Sequence, residues 1–194
     1  MKKLIAILLA AAFIPAMVFA GPFDIVIGSN LATAQTSSEM AQKFDIGQIS
    51  LGPEVRVKLL FLEAGAKANF AFHPEVSYFH GAGNLNLTAE IDLGALRVGA
   101  GIQTDDIIFA YDDGTWTSPR FWNTGKEDFI EGFLASHVNW RVKADLIIDN
   151  LLLGADYTIP TEYIYGAENQ DSALLLPKDW GKGKLSLSFM YSFF

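Results

Sequence analysis

The sequence predicts an all-β fold, an antiparallel up-and-down barrel of about eight strands. Apolar and polar residues alternate along several segments of about ten residues, which is the period of a strand with one apolar face. The connections between these segments measure about 12–16 residues, very short, 11, very short, 33, very short and 24 residues. A barrel with tight turns at one end and long loops at the other has this alternation of lengths.

The first twenty residues have the three parts of a secretory signal. Two lysines precede an apolar run that extends to about Val18, and a small-residue cleavage site ends at Ala20. The run is short for a spanning helix and contains Pro15, which disfavours an uncleaved anchor. We therefore expect a signal peptide over residues 1–20, followed by one exported domain over residues 21–194.

Composition excludes several classes of function. The chain has no cysteine, so disulfides do not hold it together. Its formal net charge is -8, and loss of Lys2 and Lys3 with the signal makes the charge still more negative, which argues against a nucleic-acid partner. No stretch after the signal approaches the ~20 apolar residues of a membrane helix. Any passage through a membrane would therefore be by strands.

The first predicted strand spans about Phe23 to Leu31, and two more lie between about Gln48 and Phe72. These two reverse direction near Leu60-Phe61, where the sequence offers no Gly, Asn or Asp. Pro53 removes a ladder donor from the middle of the second strand. We therefore expect a bulge, or a late start of the third strand.

The cleanest hairpin runs from Leu85 to Ile102 around Gly94-Ala95, with one fully apolar face. The same pattern returns from Val138 to Ile159 around a reversal near Asn150, and the last strand spans Lys184 to Phe194. Long loops are then expected at about 32–47, 73–83, 104–136 and 160–183.

The longest loop contains a further hairpin candidate. Ile107 to Tyr111 is followed by Asp112 to Trp116, with a turn-forming Asp113-Gly114 between them. This hairpin would stand above the membrane or would supply strands nine and ten, so a ten-stranded barrel is the alternative to eight.

Charged residues occur only on the non-apolar face of the predicted strands. A transmembrane barrel turns its apolar face to lipid and these charges into the lumen, where acids and bases can pair. In a soluble lipocalin-like barrel the order inverts, and periodicity alone leaves that alternative open. Aromatic residues near the strand ends favour lipid. The expected lumen charge network consists of Arg56, Lys58, Lys67, Glu90, Asp92, Arg97, Arg141, Lys143, Asp145 and Asp156.

The C-terminal segment alternates from Leu185 and is rich in aromatic residues. It resembles the assembly signal of bacterial outer-membrane proteins, and the residues that carry this resemblance are Phe189, Tyr191, Phe193 and Phe194. Over residues 21–194 the pattern is similar to the small eight-stranded barrels of the OmpA transmembrane domain, OmpX and OmpW. The resemblance implies an outer-membrane location, contact with outer-membrane lipid and with the barrel-assembly machinery, and a lumen filled by side chains.

Catalytic and metal-binding patterns are weak. Ser136 and His137 are adjacent and point to opposite faces of a strand, which disfavours a nucleophile and base pair. His73, Glu75 and His80 have competent ligand atoms at a spacing that matches no metal-site motif. The Gly-containing segments lack the strand-to-helix context of a phosphate loop. We therefore expect no enzyme activity, no cofactor and no metal.

The outer loops are acidic and aromatic, so they are the expected contact surface for cations or a surface ligand. Residues 129–134 could form a short amphipathic turn at the membrane interface. A structural, adhesive or ligand-binding role through these loops is the favoured expectation. The alternatives are a narrow channel, a carrier of small hydrophobic molecules and a lipid-modifying enzyme. The candidate contact residues are Trp116, Phe121, Trp122, Phe129 and Phe133.

Overall fold

The structure is a computed structural model, and it describes residues 23–73, 78–112, 115–117, 119–121, 124–126 and 128–193. The expected signal peptide lies outside these residues, as do Glu75, Trp122 and Phe194. Within the described residues the α-helices are α1 (Ser37–Gln42) and α2 (Phe129–Ala135). The strands are β1 (Phe23–Thr33), β2 (Ile49–Leu59), β3 (Leu62–His73), β4 (Tyr78–Asp92), β5 (Leu96–Gln103), β6 (Ile107–Asp112), β7 (Thr115–Trp116), β8 (Arg120–Phe121), β9 (His137–Ile148), β10 (Leu151–Ile164) and β11 (Lys184–Ser192).

Eight of these strands close into a ring. Strands β1 to β5 follow one another as antiparallel neighbours, β5 pairs with β9, and β9 to β11 continue to β1. The pairing of β1 with β11 places Ile27 opposite Tyr191 and leaves the ring without a free edge. The predicted all-β fold with about eight barrel strands is confirmed.

The extra hairpin is present but does not enter the ring. Strand β6 pairs with residues 78–83 of β4, above the level at which β5 pairs with residues 86–92 of the same strand. Strands β7 and β8 both pair with β6. The ten-stranded alternative is therefore wrong, because the additional strands extend one side of the wall instead of widening the circumference.

Three connections between strands of the ring are minimal, at residues 60–61, 93–95 and 149–150, and we call this side of the barrel the turn end. The other connections leave from the opposite side, the loop end. Leu60 and Asp149 adopt left-handed φ angles of 57° and 52°, which single turn residues use to reverse a hairpin. The third strand begins directly after its turn, at Leu62.

The expected bulge at Pro53 is absent. Leu51 pairs with Phe70 and Glu54 pairs with Lys67, so the register passes the proline without gaining a residue. A Cβ atom at the preceding Gly52 would lie 1.7 Å from the Ala68 carbonyl oxygen, so the two backbones approach closely here. Glycine permits this approach. The pairing of β2 with β3 is interrupted near the proline and resumes in the same register.

The registers also fix the shape of the barrel. A path that steps from each residue to its paired neighbour, once around the ring, starts at Ser50 of β2 and returns to β2 at Leu60, ten residues further along. The barrel therefore has a shear number of ten for eight strands. The neighbours on this circuit are Ser50, Ala32, Ser186, Asp156, Lys143, Gly99, Glu90, Phe61 and Leu60. With ~3.3 Å per residue and ~4.8 Å between strands, this shear tilts the strands by about 40° from the barrel axis. Such a barrel encloses an interior that side chains alone can fill.

Candidate functional site: a buried charge network beneath a polar vestibule

Burial in this protein is inverted relative to a protein that folds in water. Arg141 is fully buried inside the ring, whereas Phe189, on the outer face of the wall, is 57% exposed. Every outward-facing residue of the spans from Leu51 to Leu59 and from Leu185 to Phe193 is uncharged. The ring therefore has an apolar exterior and a charged interior.

The middle of the interior is built around Arg56 and Lys143. Arg56 Nε donates to Glu54 Oε1 at 2.6 Å, and Nη1 donates to Asp145 Oδ1 at 2.9 Å. Lys143 Nζ lies 2.6 Å from Glu63 Oε2 and 2.9 Å from Asp145 Oδ2, and it also contacts Glu90. Arg56 of β2 thus pairs with Asp145 of β9, and Lys143 of β9 pairs with Glu63 of β3, so ion pairs tie opposite sides of the barrel together.

The loop-end layer of the interior centres on Asp156. Its Oδ1 accepts hydrogen bonds from Arg141 Nε at 2.9 Å and from Lys67 Nζ at 2.6 Å, and its Oδ2 accepts one from Ser186 Oγ at 2.6 Å. Arg141 Nη1 donates to Asn86 Oδ1 at 2.8 Å as well. One carboxylate thus holds both cations of this layer.

The turn-end layer contains Lys58 and Arg97. Arg97 Nε donates to Asp92 Oδ1 at 2.7 Å, and its Nη2 lies 3.5 Å from Asp24 Oδ2. Lys58 donates to the other oxygen of Asp92. All ten residues expected in the lumen network lie inside the ring, and Asp24, Glu54 and Glu63 of the same polar face join them.

Close approach of glycine makes room for these long side chains. A Cβ atom at Gly154 would lie 2.6 Å from Asp145 Oδ1 and 3.3 Å from Arg56 Nη2. The ion pair between Arg56 and Asp145 therefore requires glycine at position 154, because any side chain there would occupy its space.

A small apolar cluster closes the turn end of the interior. Val26, Leu152 and Met190 are buried together, and Ile147 packs against them. The expected lumen network includes none of these four residues. In the sequence these residues are recognisable as apolar residues at inward-facing positions, where most other residues of the strands are polar.

A cavity of about 870 Å³, lined by both polar and apolar groups, opens at the loop end, and we call it the vestibule. Lys67 and Ser186 form part of its lining, so it extends down to the loop-end layer of the charge network. Hydrogen bonds from the backbone and side chain of Thr36 hold the pKa of Glu39, on the vestibule wall, below its ordinary value. Every strand of the ring contributes an amide or a hydroxyl to this lining. The amides and hydroxyls include those of Asn69, Asn84, Gln103, Asn139 and Thr158.

The candidate loop-contact residues are not brought together as one surface. Phe121 is buried under α2, where a Cβ atom at Gly132 would lie 2.3 Å from its ring, and Phe133 stacks on Tyr165 with ring centroids 4.7 Å apart. Trp116 and Phe129 are exposed. Two of these rings therefore stabilise the loop, and two remain on its surface.

Residues 129–134, expected to form a short amphipathic turn, lie in helix α2. Phe129, Ile130 and Leu134 are exposed, and Ile130 has 69% of its surface accessible. Among the described residues, no helix has both the length and the apolar character to cross a bilayer.

The two catalytic candidates, Ser136 and His137, are engaged in other contacts. Ser136 Oγ donates to the Phe133 carbonyl at 2.8 Å, and His137 Nδ1 lies 3.2 Å from Asp105 Oδ2. His73 and His80 lie on β3 and β4 and are not paired with each other. Among the described residues, one cluster of three carboxylates could hold a metal ion, and Lys143 contacts all three of them: Glu63, Glu90 and Asp145.

Three residues of the expected C-terminal assembly signal lie on the outer face of β11 and its extension. Phe189, Tyr191 and Phe193 are exposed, and the rings of Tyr191 and Phe193 meet edge to face at 5.2 Å. Tyr191 Oη also accepts a hydrogen bond from Asn150 Nδ2 at 3.1 Å, across the neighbouring turn. Phe189, Tyr191 and Phe193 form an aromatic patch at the turn end.

These features define a closed antiparallel barrel with a charged interior and an apolar exterior. No protein-family model matches the chain, and no curated protein matches it. Among solved structures it is similar to Neisserial surface protein A, at 10% identity and a TM-score of 0.43, over 90% of this chain and 99% of that one. It is also similar to the N-terminal β-barrel domain of OprF from Pseudomonas aeruginosa, at 11% identity and a TM-score of 0.44, with the same coverage. The fold assignment rests on the strand pairing of this chain itself.

Proposed function

We propose that this protein is a non-enzymatic integral protein of the bacterial outer membrane, anchored by a barrel that does not conduct. The observation that carries the proposal is the inversion of burial. Large apolar side chains such as Leu51, Leu146 and Phe189 face outward, while the charges face inward. In water this arrangement would expose a continuous apolar wall, whereas in lipid the same wall is favourable. A soluble lipocalin-like barrel would have the opposite arrangement.

The dimensions of the wall support a membrane span. The apolar outer face covers about nine residues on most strands, for example Leu51–Leu59 of β2 and Leu185–Phe193 along β11. Tilted strands of about 9–11 residues cross a bilayer. The ring also satisfies the backbone of its edge strands by pairing β1 with β11, which a strand exposed to lipid requires.

Two features support an occluded lumen. The ion pairs between Arg56, Asp145 and Glu63 cross the middle of the barrel, with side chains that are at most 1% exposed. Below them, Leu152 and Met190 pack together at the turn end. A hydrated pore would leave a path of accessible polar surface through both layers. The channel alternative therefore needs the network to open.

The loops at the other end supply the surface role. They present acidic side chains together with exposed Trp116, Phe129 and Ile130, a combination suited to contact with lipid headgroups, cations or a surface ligand. In this proposal the chain is exported by its signal peptide, and the aromatic C-terminal strand is the segment that the barrel-assembly machinery recognises.

The membrane proposal is tested by electrophoresis of the detergent-extracted protein with and without boiling. A folded barrel should migrate differently from the boiled chain, and the difference should vanish after boiling. The protein should also require detergent to stay in solution. A chain that is monomeric and soluble without detergent would contradict the proposal.

Occlusion is tested separately by planar-bilayer recordings of the purified protein. Little or no steady conductance is expected, and a pore of known conductance in the same bilayers serves as the positive control. Large, stable openings from protein that passes the electrophoresis test would establish the channel alternative while leaving the membrane location intact.

A further inference from the structure

We infer that residues 172–177, in the loop between β10 and β11, form an apolar shelf that lies in the outer lipid leaflet against the outside of β9 and β10. The inference rests on the proposed function, which makes the outer face of the ring the surface that contacts lipid. Three observations carry it: the position of the shelf, the chemistry of its side chains, and the hydrogen bonds of its backbone.

The shelf covers the wall from outside the ring. Its first part is a 3₁₀ turn, Ser172–Leu175, that contacts β10. Ile159 of β10 and Trp140 of β9 are register partners in the outward phase of their strands. Ile159 is 0% exposed, whereas Leu153, also on the outer face of β10, is 43% exposed. Trp140 Nε1 donates to the Leu175 carbonyl oxygen at 2.6 Å, which fixes the turn over this pair.

The shelf lies at the loop-end limit of the lipid-facing wall. Trp140 and Ile159 are the last residues of the outward apolar series that start at the turn end of β9 and β10. This limit is where a membrane barrel meets the interface between lipid and water, the level at which tryptophan is enriched. Just beyond it, Glu162 and Lys178 form an exposed ion pair at 2.5 Å. The shelf is therefore bounded by apolar wall on one side and by charged groups on the other.

The side chains of the shelf suit lipid better than water. The segment contains three consecutive leucines and no charged residue. Leu174 and Leu175 are half-buried, and Leu176 is 65% exposed. Val142 and Leu153, lower on the same side of the ring, are exposed as well. The apolar surface of the wall thus continues over the shelf, and lipid that contacts the wall also reaches Leu176.

The backbone of the shelf finds its partners within the protein. The amides of Ala173, Leu174 and Leu176 donate hydrogen bonds of 2.9–3.1 Å to acceptors on residues 171 and 173. The Leu175 carbonyl accepts the indole hydrogen bond, and the shelf ends in a proline, which has no amide hydrogen. Lipid offers no partners for polar groups, so a segment that enters it must satisfy its backbone in this way.

The test is fluorescence quenching of a single probe on the folded barrel in phospholipid vesicles. The chain has no cysteine, so one introduced thiol takes one label. Leu176→Cys reports the shelf, Leu153→Cys reports the lipid-facing wall, and Asn169→Cys reports an exposed position in the same loop as the shelf. Each labelled protein must first show heat-dependent migration on a gel.

Quenching by spin-labelled lipids should be strong at positions 153 and 176 and weak at position 169, and iodide in the water should give the opposite order. Interfacial segments lie about 5–10 Å into the boundary between headgroups and acyl chains, so a spin label near the head of the acyl chain should quench position 176 more than one near its end. Should Leu176→Cys fail to fold, Ala173→Cys, exposed in the same segment, replaces it.

Trp140→Phe tests how the shelf is held. This variant removes the indole N–H and keeps an aromatic ring, so the probe at position 176 should lose lipid quenching and gain iodide quenching. Trp180→Phe, at an exposed tryptophan of the same loop, is the matched control and should leave both unchanged. Equal quenching in the two variants would contradict the role of Trp140 in holding the shelf.

Two outcomes at position 176 would overturn the inference. Quenching by iodide without quenching by lipid would place the segment in water. Protection from both quenchers would mean that a protein surface, such as a second copy of this chain, covers it. Position 153 separates these results from failure of the proposed function, because its probe loses lipid quenching only if the barrel itself is not in the membrane.

Discussion

Replacing Arg141 by methionine should destabilise the barrel severely, and this substitution tests whether the interior is dry. The guanidinium is fully buried and lies within 4 Å of three carboxylates, on Asp156, Glu63 and Glu54. Methionine roughly retains the side-chain length and removes the charge and the donors. The three carboxylates then remain in the interior with one cation fewer to neutralise them.

The expected cost is about 3–5 kcal/mol, the range for removing one partner of a buried ion pair. Such a cost lowers the folding equilibrium constant roughly 10²–10⁴-fold. The matched control is Lys178→Met, which removes a salt bridge of 2.5 Å to Glu162 in which both side chains are about 60% exposed. An exposed pair contributes about 0–1 kcal/mol, so the control should unfold close to wild type.

The assay is urea unfolding in lipid vesicles, followed by the fraction of chain that still migrates as the folded form without boiling. A second substitution, Glu54→Gln in the Arg141→Met background, removes one of the three carboxylates while Arg56 keeps Asp145 as a partner, and it should recover part of the loss. If Arg141→Met and Lys178→Met are equally mild, water reaches the interior charges. The dry network, and with it the occluded lumen, would then be refuted.

The remaining predictions concern the wall, the turn end and closure of the ring. Ala100→Arg on the outer face should cost about 2–4 kcal/mol in the urea assay, whereas Ala100→Leu should be mild, and equal stability of the two would mean that this face does not contact lipid. Leu152 is 1% exposed, so Leu152→Ala should lower the free energy of unfolding by about 2–5 kcal/mol, and Leu153→Ala, on the outer face, should lower it clearly less. The reverse order would contradict the apolar cluster. Deleting residues 191–194 should abolish surface assembly, measured by protease access on whole cells, while deleting loop residues 112–126 should not, and normal assembly of the first truncation would contradict closure by β11.

The hairpins were predictable because strand periodicity is a local property. In the β4–β5 hairpin, five apolar residues alternate from Leu85, and Gly94 provides the positive φ of the turn. The turn at Leu60 was placed correctly, but its left-handed conformation has no signal in the residue type. The effect of Pro53 was predicted wrongly, since the close approach at Gly52 depends on the backbone of β3.

The candidate site was predictable in part for the same reason. Alternate residues of a strand face opposite sides, and this alternation alone assigns Arg141 and Glu90 to the interior. The assignment needs no knowledge of how the ring closes. Which charges meet depends on the shear, a sum over eight registers that no single segment specifies. Arg56 therefore contacts Asp145 of β9, which lies on a distant part of the ring. The cluster around Met190 and the vestibule likewise depend on which strands face one another across the lumen.

A charged interior also determines which face of each strand turns towards the lumen. A slip of one residue in register turns every side chain to the other face. For this sequence the slip would place Arg56, Lys143 and Asp145 in lipid, where a charge near the midplane is strongly unfavourable. An apolar interior would offer no such penalty, because leucine is equally acceptable on either side of a wall in lipid. The ion pairs thus contribute more to specifying the facing of the strands than to net stability, since desolvation offsets much of their attraction.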